Sequence, residues 1–258
     1  LYFGYSICRA HGNTRLPGAG MVITSLLNIV LDPVFIFYLD YGLVGAAYAS
    51  CISFIVGFVI IFPKIFSNQW VIFITALSEV RHHGKRILSV AGPAMTSQML
   101  PSLSAIIATH IVAGYGTSAV AAWGLGIRLE FFSIILILAL TMSLPPMIGR
   151  YFGAKDYDSI QRLVNVAIKL TLGAQILFAI LMLIFASKLS ALMSSDESVA
   201  GILSNYLMLV PISYAPLGLC MLAVSISNAI GQPSRALLIS LLRLFACFLP
   251  MLLLGSYF

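Results

Sequence analysis

Apolar residues follow one another along this chain in long runs, without the strict alternation that is typical of a half-buried β-strand. A run of about 20 apolar residues is long enough for a helix to cross the hydrocarbon core of a bilayer. The pattern therefore predicts an all-α, polytopic membrane protein, with the end of a further helix in the first eight residues. The seven predicted spans are residues 18–39, 43–63, 87–113, 119–147, 163–187, 199–227 and 236–258.

The polar links between these runs alternate in charge. Ten lysine and arginine residues fall in every second link, whereas the other links carry only Lys188. Because cytoplasmic links of membrane proteins hold the excess of Lys and Arg, the ten residues mark the cytoplasmic side. They are Arg9, Arg15, Lys64, Arg81, Lys85, Arg86, Arg150, Lys155, Arg162 and Arg235.

The composition excludes a soluble globular protein. Hydrophobic residues make up 60% of the chain and charged residues 9%, whereas a soluble domain is about a quarter charged. The net charge of +6 comes from the lysine and arginine residues of the cytoplasmic links. It therefore reflects the orientation of the protein in the membrane, and we expect no nucleic-acid partner. The four cysteines have no metal or redox spacing, and the chain contains no HExxH or GxSxG motif. We therefore expect neither an enzyme nor a bound metal or cofactor.

The link at residues 64–86 divides the chain. It contains the apolar stretch 70–77, which is too short to span and which we expect to form a helix on the inner membrane surface. The predicted parts are the remainder of one lobe at residues 1–63, a cytoplasmic linker at 64–86 and a second lobe at 87–258.

A weak internal repeat supports two lobes that run the same way, as in parallel-repeat transporters. Because the chain lacks an initial Met and ends inside an apolar run, we also expect it to be a piece of a longer protein. The repeat pairs Ala10-His11-Gly12 and Leu31-Asp32-Pro33 with Ala229-Ile230-Gly231 and Phe248-Leu249-Pro250.

Asp32 is the main candidate for chemistry. It lies in an apolar span, where an ionised carboxylate costs several kcal/mol, about 3 on insertion scales, and therefore needs a partner or a proton. Asn28 lies one helical turn earlier on the same face, and Pro33 removes a backbone donor and can bend the helix. The alternative is an aspartate near the outer end of the helix that is solvated or only caps the bend.

Glu130 and Arg128 are also charged residues inside a predicted span. They are two residues apart and point in different directions, so they do not form a simple pair. Glu130 either lines a cavity in the second lobe, where it attracts a cationic substrate, or forms a structural ion pair with Arg243. The ion pair is the simpler of the two interpretations.

Several strings, in order across the whole chain, resemble the multidrug and toxic compound extrusion transporters. This resemblance implies two parallel six-helix lobes, of which this chain carries the end of the fourth helix through the eleventh. It also implies a multi-pass, monomeric protein of the inner membrane that contacts lipid and a small organic substrate. The strings are Asn28 to Phe37 (NIVLDPVFIF), Gly42 to Ala47 (GLVGAA), Ala113 to Ala122 (AGYGTSAVAA), Gly149 to Lys155 (GRYFGAK) and Asn228 to Gln232 (NAIGQ).

The resemblance also implies a site. In the DinF-like branch of the family, the cation site uses an Asn and an Asp on the fifth helix, which match Asn28 and Asp32, and a hydroxyl on the sixth helix, which matches Ser50. The NorM-like branch places acidic residues on the seventh and tenth helices, where this chain has about Pro101 and Leu219. That departure argues against a cation site on those two helices.

The expected function is a cation-coupled antiporter, driven by H⁺ or Na⁺, that exports amphipathic or cationic organic compounds by alternating access. The alternative within the same superfamily is a flippase for lipid-linked oligosaccharides, which needs a large hydrophilic cavity with several basic residues. Only Arg128 and Arg243 are candidates for such a cavity. A channel is the third possibility, but no filter sequence or polar stripe is present.

Overall fold

The computed structural model describes the backbone of residues 1–71 and 77–257, and the side chains of residues 1–71, 83–85 and 87–255. This part of the chain is helical and contains no β-strand. The helices are α1 Tyr2–Ala10, α2 Arg15–Pro33, α3 Gly42–Ser67, α4 Leu77–Ala113, α5 Thr117–Gly153, α6 Tyr157–Met193, α7 Glu197–Leu209, α8 Tyr214–Ala229, α9 Pro233–Leu242 and α10 Leu249–Tyr257.

Six helical segments of the described chain are long and apolar enough to cross a membrane. They overlap six of the seven predicted spans, and α1 confirms the helix end predicted at the start of the chain. The seventh prediction, residues 87–113, lies within α4, which is helical but not among the six. Polar residues such as Gln98 and His110 make this helix less apolar than the others. Residues 72–76 of the predicted surface helix lie outside the described part of the chain.

The chain forms two compact units, Leu1–Arg81 and His82–Phe258. In the first unit, α2 packs against α3 along a row of small residues on α3. Gly57 belongs to this row, and it leaves no room for a side chain: a Cβ atom there would lie 2.5 Å from the Thr24 methyl group on α2. Small residues let transmembrane helices approach closely, which brings the polar side chains of α2 next to α3.

In the second unit, α5 packs against α6, α7 and α8, and α9 packs against α8. One apolar cluster joins α5, α6 and α7, and another joins α5, α6 and α8. A polar contact also crosses this bundle: the Gln175 amide on α6 donates to the Ser133 carbonyl on α5 at 2.8 Å and accepts from the Ser133 hydroxyl. Gln175 is 1% exposed.

The two turns that belong to the predicted repeat have the same backbone geometry. In the first turn, Gly12 has φ 81° and the Asn13 N–H donates to the Cys8 carbonyl at 2.9 Å. In the second, Gly231 has φ 75° and the Gln232 N–H donates to the Ser227 carbonyl, also at 2.9 Å. Glycine adopts this left-handed conformation without the steric cost that other residues pay.

After each turn the chain forms an α-helix, and this helix changes into a π-helical segment close to a proline. Pro33 precedes the π segment Val34–Tyr38, and the segment Arg243–Phe248 comes just before Leu249 and Pro250. Because proline has no N–H, it removes one rung of the α-helical hydrogen bonding and favours such a local change of register.

Candidate functional site

The structure brings Asn28, Asp32 and Ser50 together. The Asn28 Nδ2 atom donates to Asp32 Oδ1 at 3.3 Å and lies 3.4 Å from Ser50 Oγ on α3. All three side chains are half-buried. Two neighbouring helices therefore present a carboxylate, an amide and a hydroxyl to one another inside predicted membrane spans.

The end of α2 fixes the position of Asp32. Asp32 occupies the last turn before Pro33, after which Leu39 N–H donates to the Val34 carbonyl, five residues earlier. The π segment packs its backbone against α3, because a Cβ atom at Gly45 would lie 2.5 Å from the Phe35 carbonyl oxygen. This backbone contact holds the end of α2, and with it Asp32, against the start of α3.

The Asp32 carboxylate accepts a hydrogen bond from a neutral side chain, the Asn28 amide. Among the described side chains, no lysine or arginine lies within ion-pair distance of its carboxylate. The amide and hydroxyl beside it carry oxygen atoms, and hard cations prefer oxygen ligands. The arrangement is therefore chemically suited to bind and release a small cation or a proton.

The second group of predicted residues is less compact. Glu130 and Arg243 are half-buried and Arg128 is exposed. The side chains of Glu130 and Arg243, both of which the structure describes, do not come within ion-pair distance of each other. The structure does not bring Arg128 to Glu130. Both roles considered for Glu130, cavity lining and ion pairing, stay predictions.

Two aromatic residues near Glu130 were not predicted as its neighbours. Tyr206 on α7 packs onto α5 one turn before Glu130, because a Cβ atom at Gly126 would lie 2.5 Å from Tyr206 Cε1. Trp123 lies two turns before Glu130 on α5, and its ring is 5.9 Å from the Tyr206 ring. The spacing of Trp123 and Glu130 is visible in the sequence, but the approach of α7 is a tertiary contact that no local pattern reveals.

Together the fold and these sites define a multi-pass α-helical protein that carries ionisable groups within its membrane spans. The sequence model of the MatE family matches residues 93–253 of the chain. This chain belongs to the MatE family. The family membership, the all-α polytopic fold and the location in the inner membrane agree with the expectations from sequence.

Two characterised relatives are transporters by name. The chain is 31% identical to the FAD transporter of Shewanella oneidensis over 266 residues, which cover all of this chain and 58% of that protein. It is 28% identical to the multidrug export protein MepA of Staphylococcus saprophyticus over 243 residues, 91% of this chain and 52% of that protein. The chain thus spans little more than half the length of these relatives.

Solved structures show the same fold. A crystal structure of an Asp-to-Asn mutant of the Vibrio cholerae MATE transporter VcmN matches with a TM-score of 0.94 and 50% identity, over all of this chain and 59% of that one. The bent form of VcmN matches with a TM-score of 0.91. An outward-facing multidrug resistance MATE transporter matches with a TM-score of 0.84 and 26% identity, over 94% of this chain and 55% of that one.

Proposed function

We propose that this chain belongs to a cation-coupled antiporter that exports amphipathic or cationic organic compounds by alternating access. The observation that carries the proposal is the Asp32 carboxylate, which lies in a membrane-spanning helix beside Asn28 and Ser50 and has no basic partner among the described side chains. An ionisable group in such a place is a functional site by default.

The relatives support export as the direction of transport. MepA is named as a multidrug export protein and VcmN as a MATE transporter. Because this chain spans 58% of the FAD transporter and 52% of MepA, the activity of the whole protein is part of the proposal.

Coupling follows from the charge of Asp32. When the carboxylate is ionised, the Asn28 amide donates to it through Nδ2. When a proton or Na⁺ neutralises the charge, rotation of the amide presents its oxygen to the new donor or cation. A bound ion that favours one arrangement of the helices over the other shifts the population of the transporter toward that arrangement.

A second candidate substrate comes from the FAD transporter, which is 31% identical over the whole chain. FAD is an anionic dinucleotide, so its recognition needs cationic or hydrogen-bonding groups, whereas recognition of an organic cation needs a carboxylate or aromatic faces. We favour organic cations, because the half-buried Glu130 shares a face of α5 with Trp123, whose ring lies 5.9 Å from that of Tyr206.

The test is transport by inside-out vesicles that contain the protein, with an imposed proton gradient or an imposed Na⁺ gradient. The probe is ethidium uptake, with FAD uptake measured in parallel. We compare the wild type with Asp32→Asn and with Asp40→Asn as a matched control, because Asp40 is exposed in the loop after α2 and already has φ 55°, which asparagine tolerates.

We expect gradient-driven ethidium uptake in the wild type and in Asp40→Asn, and its loss in Asp32→Asn at equal protein levels. Whichever gradient drives the uptake identifies the coupling ion. Uptake that stays gradient-dependent in Asp32→Asn contradicts the coupling role of Asp32. Uptake of FAD without ethidium contradicts the proposed substrate class.

A further inference from the structure

One face of α6 carries a polar stripe in the cytoplasmic half of the helix. Arg162, Asn165 and Lys169 are spaced three and four residues apart, so they share one face. All three side chains are exposed, whereas Ala167 and Thr171 on the opposite face are buried in the second unit. Two cations with an amide between them therefore lie on the outer surface of this unit.

The stripe extends into the membrane. α6 is 37 residues long and is one of the segments that can cross a bilayer. The exposed cations Arg162 and Lys188 lie equally far from residue 175, so we centre the helix in the bilayer there. A hydrocarbon core about 30 Å thick then covers about residues 165–185, at about 1.5 Å per residue. Lys169 therefore lies inside the core, where an ionised side chain is costly without a partner, and Arg162 lies at the level of the headgroups.

The described part of the chain supplies no carboxylate within ion-pair distance of Arg162 or Lys169. Helical side chains lean toward the N-terminus of their helix, which for α6 is the cytoplasmic end. The long stem of Lys169 can therefore carry its ammonium group along the stripe, past Asn165, toward the headgroups. The anionic group present at that level is the phosphate of a lipid.

Farther along the same face, the surface of α6 becomes an apolar notch. Gly173 follows Lys169 by one turn, is exposed, and has no atom within 4 Å of the position of a Cβ. Ile176 and Ile180 come next on this face and are 53% and 48% exposed. The face thus presents cations, then an open space and then an apolar surface, in the order of the headgroup and acyl chain of a phospholipid.

The charge of the stripe selects the kind of lipid. Asp158 is exposed and lies one turn before Arg162 on the same face, so the stripe has a net charge of +1. The single negative charge of an anionic phospholipid balances it, whereas a zwitterionic lipid leaves it unbalanced. The carboxylate at the water-facing end also keeps the phosphate between Arg162 and Lys169, because like charges repel.

We propose that this face of α6 binds an anionic phospholipid of the cytoplasmic leaflet. The phosphate accepts hydrogen bonds from Arg162 and Lys169, and an acyl chain occupies the notch at Gly173. Lipid binding requires neither an exported compound nor an ion gradient, so this inference goes beyond the proposed function and is tested without transport.

Native mass spectrometry of the purified full-length protein in detergent measures the site directly. We titrate it with phosphatidylglycerol and, separately, with phosphatidylethanolamine, and obtain a dissociation constant from the fraction of lipid-bound protein. We expect phosphatidylglycerol to bind about tenfold or more tightly than phosphatidylethanolamine. Glycerol 1-phosphate, which has the phosphate without acyl chains, should show no measurable binding.

Matched variants test the two cations. We expect Lys169→Gln and Arg162→Gln each to weaken phosphatidylglycerol binding by about tenfold or more, because each removes a charged hydrogen-bond donor. Lys188→Gln, at the other end of α6, and Arg235→Gln, on α9, remove the same charges at exposed positions away from the stripe and should leave the affinity unchanged.

A second pair of variants tests the notch. Gly173→Leu should weaken phosphatidylglycerol binding, because the new side chain fills the space that the acyl chain occupies. Gly201→Leu on α7 is its control, since Gly201 is also exposed with no atom within 4 Å of a Cβ. Equal affinities in these two variants, or binding of glycerol 1-phosphate as tight as that of the lipid, contradict the acyl-chain part of the site.

Equal affinities for phosphatidylglycerol and phosphatidylethanolamine, or an unchanged affinity in well-folded Lys169→Gln, overturn the proposal. If Lys169→Gln does not elute as a folded protein, Asp158→Asn decides, because Asp158 is exposed and its removal raises the net charge of the stripe. That variant should bind phosphatidylglycerol more tightly than the wild type, and an unchanged affinity overturns the site. Loss of gradient-driven transport with lipid binding retained contradicts the antiporter alone.

Discussion

The Asn28 amide donates to the Asp32 carboxylate from one helical turn away, with Nδ2 3.3 Å from Oδ1. The same nitrogen lies 3.4 Å from Ser50 Oγ. One side chain therefore links the charged residue of α2 to α3, and a change in the charge of Asp32 alters the hydrogen bonding of the neighbouring helix. This relationship makes Asn28 the residue that most directly tests the coupling site.

We predict that Asn28→Ala lowers coupled transport by about tenfold or more, because a hydrogen bond to a charged group contributes about 1.5–3 kcal/mol. Ser50→Ala should have a smaller effect, since Asn28 can still donate to Asp32. Asn68→Ala is the control, because Asn68 is exposed in the turn after α3. Initial rates of ethidium uptake at matched expression provide the measurement, and equal rates in Asn28→Ala and Asn68→Ala contradict the prediction.

Sequence predicted part of this site from local geometry and part only by resemblance. The Asn28 and Asp32 pair follows from helical periodicity, because residues four apart share a face. Ser50 is on another helix, and only the resemblance to a family placed it beside them. Its contact depends on how closely α2 and α3 pack, which Gly57 permits and which no local pattern specifies.

Helix ends were harder to predict than spans. The predicted span 163–187 lies inside α6, Tyr157–Met193, because an α-helix continues past the apolar run into polar residues. The span 199–227 contains the 3₁₀ segment Val210–Ser213, where Pro211 interrupts the α-helical hydrogen bonding. An apolar run indicates which part of a helix lies in lipid. Capping residues and prolines determine where the α-helical hydrogen bonding begins, ends or is interrupted.

Gly45 should tolerate no side chain. In Gly45→Ala the new Cβ would lie 2.5 Å from the Phe35 carbonyl oxygen, a backbone atom that cannot rotate away. We expect a loss of about 1–3 kcal/mol, typical of overpacking. Gly18→Ala, with open space around its Cβ, should instead leave stability unchanged or raise it by up to about 1 kcal/mol. Thermal unfolding in detergent compares the two, and equal midpoints argue against the close contact.

The Ser133 and Gln175 pair should show coupling. Ser133→Ala removes the hydroxyl that the buried Gln175 oxygen accepts from, which we expect to cost about 1–3 kcal/mol. Once Gln175→Leu has removed the amide, Ser133→Ala should cost much less, because no acceptor is left without a donor. A double-mutant cycle on thermal stability measures this difference. Strictly additive effects would show that the two side chains do not interact.

Asp156 should make the stability of α6 depend on pH. It caps the helix, with Oδ1 3.0 Å from the Ser159 N–H, and hydrogen bonds from the Ser159 side chain and backbone hold the pKa of its carboxyl below the usual 3.8. A group whose pKa is lower in the folded state stabilises that state above its unfolded pKa and loses this effect as pH falls through the folded value. The contribution is therefore complete at neutral pH and disappears in strong acid.

The comparison of wild type with Asp156→Asn isolates this effect, because asparagine keeps an oxygen that can cap the helix but cannot ionise. We expect the wild type to have the higher unfolding temperature at neutral pH, since a negative charge at the start of a helix interacts favourably with the helix dipole. The difference should shrink as the pH is lowered through the region below about 4, where the carboxyl takes up its proton. Unfolding temperatures measured in detergent from neutral pH downward test this, and a difference that stays constant across the range excludes the capping charge as its source.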